Sequence, residues 1–174
     1  MGDQKKAGIA CFIVKPEIDD DNSRLQAEIV KQGYVAVAGN NVTYPAIAVL
    51  PNGKGIMAFT LVGKNYNPSA AYVSIDVNGT GDIHIAAEGL GPSDGFTSYK
   101  AFVGDPPRTR WGDYGAAVSD GSNIWIASEY IAQTCTFAEF TAGVSATSLG
   151  SFGSCGGTRT ALANWATRIS GVTP

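Results

Sequence analysis

Two segments of this chain are versions of one hairpin, and that repetition restricts the fold more than any other feature. Residues 47–60 read Ile-Ala-Val-Leu-Pro-Asn-Gly-Lys-Gly-Ile-Met-Ala-Phe-Thr, and residues 116–128 read Ala-Ala-Val-Ser-Asp-Gly-Ser-Asn-Ile-Trp-Ile-Ala-Ser. Ala48 and Val49 fall on Ala117 and Val118 at an offset of 69. Gly53 and Ile56 fall on Gly121 and Ile124 at an offset of 68, one turn residue having been lost. In each copy a short apolar run meets a Gly-containing turn, Asn52-Gly53 or Asp120-Gly121, and a second run carries the chain back. Around the first copy the pattern predicts four strands, at 44–50, 55–62, 70–76 and 82–88, with the last two joined at Asn78-Gly79. Such a unit is apolar on both faces and cannot stand alone. Stacking units around an axis gives a propeller. Facing them as two sheets gives a sandwich, and the hydrophobic pattern alone leaves both open.

The rest of the chain agrees with an all-β reading. Extended runs are expected at 8–14, 24–30 and 34–38, separated by an acidic turn at 16–23, a break at Gly33 and a loop at 39–41. Residues 89–95 and 104–109 read as loop, with Pro106-Pro107 excluding regular pairing in the second. No stretch has a helical period. A hydrophobic fraction of 44%, a charged fraction of 16% and 22 glycines exclude a disordered chain and a coiled coil. A net charge of −3 gives no general attraction to nucleic acid or to an anionic membrane, so neither is expected as a partner. No apolar run has the length of a membrane-spanning helix.

Of three cysteines, Cys135 and Cys155 bracket a Gly/Ser/Thr-rich segment, whereas Cys11 sits in the apolar run Ile9-Ala10-Cys11-Phe12-Ile13-Val14. The reading is a Cys135–Cys155 disulfide clamping a long loop, worth about 3 kcal/mol, with Cys11 a buried free thiol. Two reduced thiols in a reducing compartment are the alternative. Three scattered cysteines and the lone His84 offer no zinc-ligand spacing, and no cofactor is implied. The Asp19-Asp20-Asp21 run could hold calcium but reads as a solvated turn. Asn41-Val42-Thr43 and Asn78-Gly79-Thr80 fit the glycosylation triplet.

Four phrases carry a resemblance. The run from Tyr34 through Ile47, Pro68-Ser69-Ala70-Ala71-Tyr72, Arg110-Trp111-Gly112-Asp113-Tyr114 and Trp165-Ala166-Thr167-Arg168-Ile169 resemble the C-terminal blades of secreted β-propellers of the sialidase-like (BNR/Asp-box) superfamily. The similarity runs from about Gly8 onward and implies a partial β-propeller of about two and a half four-stranded antiparallel blades. Residues 1–43 would supply outer strands of a preceding blade, 44–104 a complete blade, and 105–174 a following blade carrying the clamped loop. A closed ring needs at least four blades, so the expected partners are missing blades of a longer chain or further copies of this one. The resemblance implies a secreted or extracellular protein whose signal peptide is not in this sequence. The Asp-box Ser-x-Asp-x-Gly-x-Thr-Trp is degraded: Ser74, Asp76 and Thr80 remain, Gly79 arrives one residue late and the tryptophan is missing. In the family that box is a structural turn.

Charge and aromatic rings gather at the two ends of the second hairpin. Arg110, Trp111, Asp113 and Tyr114 open it; Glu129 and Tyr130 close it. A sialidase would need arginines to pair a substrate carboxylate in bidentate fashion, a Tyr/Glu nucleophile pair and an acid/base carboxyl. The candidate catalytic residues are therefore Asp113, Glu129 and Tyr130, and the candidate ligand-binding residues Arg108, Arg110, Trp111, Tyr114 and Arg168, with Arg159 as a further cation. Adjacent strand residues point to opposite faces, so Glu129 and Tyr130 cannot both address one sugar without a bulge. Structural readings stand beside these. Asp113 would bond a neighbouring blade with Arg110 as its ion partner, Trp125 and Trp165 would pack between blades or serve as sugar platforms, and His84 would be a hydrogen-bonded strand residue. The functional expectation is a non-catalytic ligand-binding or scaffolding portion of an extracellular propeller, directed at a glycan or small polar ligand. A sialidase-type glycoside hydrolase and a purely structural ring-closing unit are the alternatives.

Overall fold

The computed structural model describes residues 5–19, 24–93, 102–103, 108–109, 111–135, 139 and 163–174, with backbone only at 102–103 and 108–109. Its elements are β-strands: β1 (Ile9–Asp19), β2 (Arg24–Val35), β3 (Asn40–Val49), β4 (Gly55–Gly63), β5 (Asn67–Asp76), β6 (Gly79–Gly89), β7 (Phe102–Val103), β8 (Arg108–Thr109), β9 (Ala116–Ser119), β10 (Ile124–Ile131) and β11 (Trp165–Val172). They form four antiparallel sheets: the hairpin β1-β2, the meander β3-β4-β5-β6, the three-stranded sheet β11-β10-β9 and the small pair β7-β8.

Strand β4 organises the rest. Ile56, Met57, Ala58, Phe59, Thr60 and Leu61 are consecutive and all buried. Successive side chains on a strand point to opposite faces, so both faces of the meander must be covered. On one face Met57, Phe59 and Leu61 pack with Val42 and Val73 and with Ile9 and Val35 of the β1–β2 hairpin. On the other, Ile56 and Ala58 pack with Leu50 and with Ile124 and Ile126 of β10. Three layers result, with the meander in the middle. β9 lies against β3, and β10 against β4 and β5. The two copies of the repeated hairpin are thus stacked like on like, in separate sheets.

Several boundaries differ from the sequence reading. β1 runs through Pro16, which lies opposite Ala27, and on to Asp19. β2 runs through Gly33, opposite Cys11. In a two-stranded ribbon each strand has a free edge, so a proline can sit there without costing a ladder bond. The loop expected at 39–41 shrinks to a turn at Ala38-Gly39, and β3 starts at Asn40, ahead of the expected Tyr44. The reason is the Asn40 side chain, which is buried and satisfied: Nδ2 donates to the Ala38 carbonyl at 2.8 Å, and Oδ1 accepts from the Asn65 amide at 3.1 Å. The 43/44 division therefore cuts through β3. Pro106-Pro107 does not exclude pairing either, because Phe102–Val103 and Arg108–Thr109 pair across it. Trp125 and Trp165, expected between blades, are 46% and 38% exposed. They lie on the face of the third layer turned away from the meander. Cys11 is a free thiol, half-buried, and burial raises its pKa. Cys135 is buried; its expected partner Cys155 lies outside the described residues, as do Asp20 and Asp21.

Because Phe59 has no exposed surface and lies in the central layer, Phe59→Ala is expected to cost about 3–5 kcal/mol in urea unfolding. Val77→Ala, in an exposed turn, is expected to stay within about 0.5 kcal/mol of the parent.

Candidate functional site

The segment leading into β9 crosses β3 where that strand is irregular. The β3–β4 register shifts between Thr43 and Ala46, and within the shift Tyr44 takes a left-handed backbone, φ 55°. A bulge re-aims side chains and bends its strand. Gly112, at φ 66°, rests on the Tyr44 ring, and a Cβ there would lie 3.0 Å from ring carbons Cδ2 and Cε2. Its neighbour Asp113 has φ 137°. Tyr44 and Asp113 are the two non-glycine residues with positive φ among the described residues, and one glycine joins them.

Two side-chain bonds fix the crossing. Trp111 Nε1 donates to Thr60 Oγ1 at 3.3 Å, tying the loop to a buried residue of β4. The Gly112 amide donates to Glu129 Oε2 at 3.0 Å, tying it to β10. Burial pushes the Glu129 carboxyl above its ordinary pKa; the Gly112 bond opposes the shift, and the nearby Asp113 charge adds to it. Desolvation disfavours the charged form and a neighbouring anion disfavours it further. Tyr44, 41% exposed, lies on the other side of Gly112 from this carboxyl, and Tyr114, 94% exposed, follows Asp113 in the chain. The arrangement offers a half-buried carboxyl that binds its proton more tightly than an ordinary glutamate, the exposed Asp113 side chain and two accessible aromatic faces. That is chemistry for hydrogen-bonding and stacking a polar ring.

The residues singled out in the sequence divide. Trp111, Asp113 and Glu129 come together about Gly112, and Tyr114 follows them at the surface. Tyr130 does not join them, because β10 pairs regularly with β11 from Ile124 to Ile131 without a bulge, which leaves Glu129 and Tyr130 on opposite faces. Arg168 pairs across from Ser128 and shares its face, not that of Glu129; its Nε donates to Ser170 Oγ at 3.2 Å. Arg110 and Arg159 lie outside the described residues, and Arg108 is described in backbone alone. Sequence reasoning missed Tyr44 and Thr60. Tyr44 had a signal, since Pro45 follows it inside a strand pattern and a proline there marks an edge or a bulge. Thr60 had none.

Other flagged groups have local duties. Trp125 Nε1 donates to Asp120 Oδ2 at 2.8 Å, and that bond, with the turn amides of Asn123 and Ser122, holds the Asp120 carboxyl below its ordinary pKa. His84 stacks on Tyr72, ring centroids 5.1 Å apart. A cleft of about 320 Å³ lies toward the Gly55 end of β4, between Lys54, Asp76, Asn78 and Thr80. Its carboxylate is already engaged: Asp76 Oδ1 accepts from the Asn78 and Gly79 amides at 2.6 and 3.1 Å. The Asp76 side chain is thus a turn cap, and the Glu129 cluster is the better candidate. No family model matches this chain, and neither a curated protein nor a solved structure matches it.

Two outcomes check the geometry. Gly112→Ala is expected to lose about 1–2 kcal/mol from its left-handed backbone alone and more from the Tyr44 ring, so a double-mutant cycle with Tyr44→Ala should show coupling. For Glu129 the folded state binds its proton more tightly than the unfolded state, so stability falls as pH rises from the ordinary glutamate range through the raised folded value. Glu129→Gln keeps an oxygen for Gly112 and carries no charge. Its melting temperature should gain on the parent's as pH rises through that window and run parallel to it above; a constant difference at all pH values would refute the assignment.

Proposed function

We propose that this chain is a non-catalytic binding portion of an extracellular β-propeller and that its ligand is a glycan or similarly polyhydroxylated molecule. The ligand is held by Tyr44, Trp111, Asp113, Tyr114 and Glu129. The observation that carries this reading is the meeting of Tyr44 and Asp113, both in sparsely populated backbone conformations, around one glycine beside a half-buried carboxyl. Strain of order 1–3 kcal/mol per residue persists where surrounding structure over-determines it, and it collects at functional sites. The like-on-like stacking of β3–β4 and β9–β10 supports the propeller reading, since repeated units set side by side in one sense are its building principle. The resemblance to sialidase-like propellers supports secretion and the glycan class.

A second reading, a glycoside hydrolase, is favoured by one observation: burial raises the pKa of Glu129, and the charge of the neighbouring Asp113 adds to the shift. A carboxyl raised by burial beside a second carboxyl is one way such enzymes set an acid role. Against it, Glu129 and Tyr130 occupy opposite faces of β10.

The test is a glycan array followed by calorimetry on the best ligand, beside a fluorogenic glycoside assay. Binding is expected without turnover. Tyr114→Ala is expected to weaken it about tenfold, the worth of one stacked aromatic, with no change in melting temperature. Turnover abolished by Glu129→Gln would establish the hydrolase reading instead. Absence of binding to every glycan and of turnover would remove both.

A further inference from the structure

The sequence holds two Asn-Gly pairs, Asn52-Gly53 and Asn78-Gly79, each in a hairpin turn with its asparagine exposed. In such a pair the backbone nitrogen of the glycine can attack the asparagine side-chain carbonyl, because glycine puts no side chain in the way. The two turns hold their polar groups differently. In the first, the Gly53 amide donates to the Leu50 carbonyl at 2.9 Å, and Asn52 Oδ1 accepts from the Lys54 amide at 3.0 Å. Neither bond involves a carboxylate.

In the second, Asp76 pairs with Gly79 across the two-residue turn Val77-Asn78. The Asp76 carboxylate touches both nitrogens that a cyclisation needs, the one that attacks and the one that leaves. Its Oδ1 accepts from the Gly79 amide at 3.1 Å and from the Asn78 amide at 2.6 Å. Its Oδ2 accepts from Asn78 Nδ2 at 3.3 Å. From β2, Lys31 Nζ donates to the Val77 carbonyl at 2.9 Å and steadies the peptide that carries Asn78. The Asn78 amide above all holds the Asp76 carboxyl below its ordinary pKa, so it is ionised at neutral pH and open to a proton.

We propose that Asn78 is a site of self-modification, in which Asp76 carries the proton as Asn78 closes onto Gly79, loses ammonia and becomes an aspartyl or isoaspartyl residue. The Gly79 nitrogen gives its proton to Asp76 and bonds to Asn78 Cγ. The Cγ–Nδ2 bond then breaks, and Nδ2 takes the proton back from the carboxyl and departs as ammonia, leaving a five-membered succinimide. Solvent water opens that ring at either carbonyl. Amide and water have become acid and ammonia, with no change of oxidation state. Holding the reacting groups together removes much of the entropic barrier, and a positioned proton carrier lowers the rest. Asn78 lines the cleft with Lys54, Asp76 and Thr80, so its conversion sets a second carboxylate beside Asp76 and makes the chain more acidic. The site is separate from Gly112 and Glu129 and does not rest on the binding function proposed above.

The test keeps the full folded chain at neutral pH and maps its peptides by mass spectrometry over time. The readout is the small mass gain of an amide turned acid, located by fragmentation, with Asn52 as the internal control. Asn78 is expected to convert at least about tenfold faster than Asn52, a fraction of what positioned proton transfer supplies. In urea, where both turns are lost, the two are expected to convert at similar rates. Asp76→Asn leaves an oxygen for the turn amides but is a far weaker base, and it is expected to slow Asn78 to the pace of Asn52. Near-ultraviolet dichroism confirms that the variant folds, and Asp76→Ser, whose hydroxyl can cap the same turn, serves where it does not. Conversion of Asn78 no faster than that of Asn52, or slower in the folded chain than in urea, overturns the proposal. So does an unchanged rate at Asn78 in the folded variant.

Discussion

A strand that is apolar on both sides cannot sit at a surface, and β4 is such a strand. From Ile56 to Leu61 it buries every residue, apolar on both sides save for Thr60, and has no face to give to water. At roughly 25 cal/mol per Å² of apolar area, covering one side and leaving the other wet would forfeit a large part of the available stabilisation. The layer on each side follows from this requirement. The hairpin root supplies Ile9 and Val35 to one side, and β10 supplies Ile124 and Ile126 to the other. The small residues Ala58, Ala71 and Ala70 keep the layers close.

The candidate site is a by-product of that stacking. When one sheet lies over another, the segment entering the upper sheet must pass the edge of the lower one. Here it does so across the bulge in β3, and close approach to the Tyr44 ring demands a residue without a side chain. Gly112 meets the demand and offers its amide to Glu129, which draws a carboxyl inward. Backbone geometry, a half-buried acid and an aromatic rim thus share a single origin. The chemistry is carried by a loop, and the rigidity comes from the two strands that Trp111 and Gly112 grip.

Period-two alternation carried the all-β class, the four-stranded meander and the correspondence of the two hairpins, because a strand with a buried face writes that face into every second residue. The alternation could not give strand ends. Pro16 and Gly33 read as breakers on the assumption that each strand has neighbours on both sides, whereas a two-stranded ribbon tolerates both. Asn40 read as loop because its polarity was visible and its two backbone partners were not. At the site, Asp113 and Glu129 stood out as charges among aromatic rings. Their company with Tyr44 and Thr60 depends on which segment wraps over which edge, and no local pattern encodes that. Size argued Trp125 and Trp165 into the core, but among the described residues they belong to a layer whose outer face is exposed.

Pro16 lies in a strand with a single neighbour. A bare strand flank is a row of donors and acceptors that another chain can zip against, the first step toward fibrous deposits. An imide ring in that row leaves one donor missing and crowds whatever approaches from the side. The arm can therefore keep its greasy surface available without becoming a template for lateral growth, which reconciles a long bare ribbon with a protein that must survive at working concentrations in its own company.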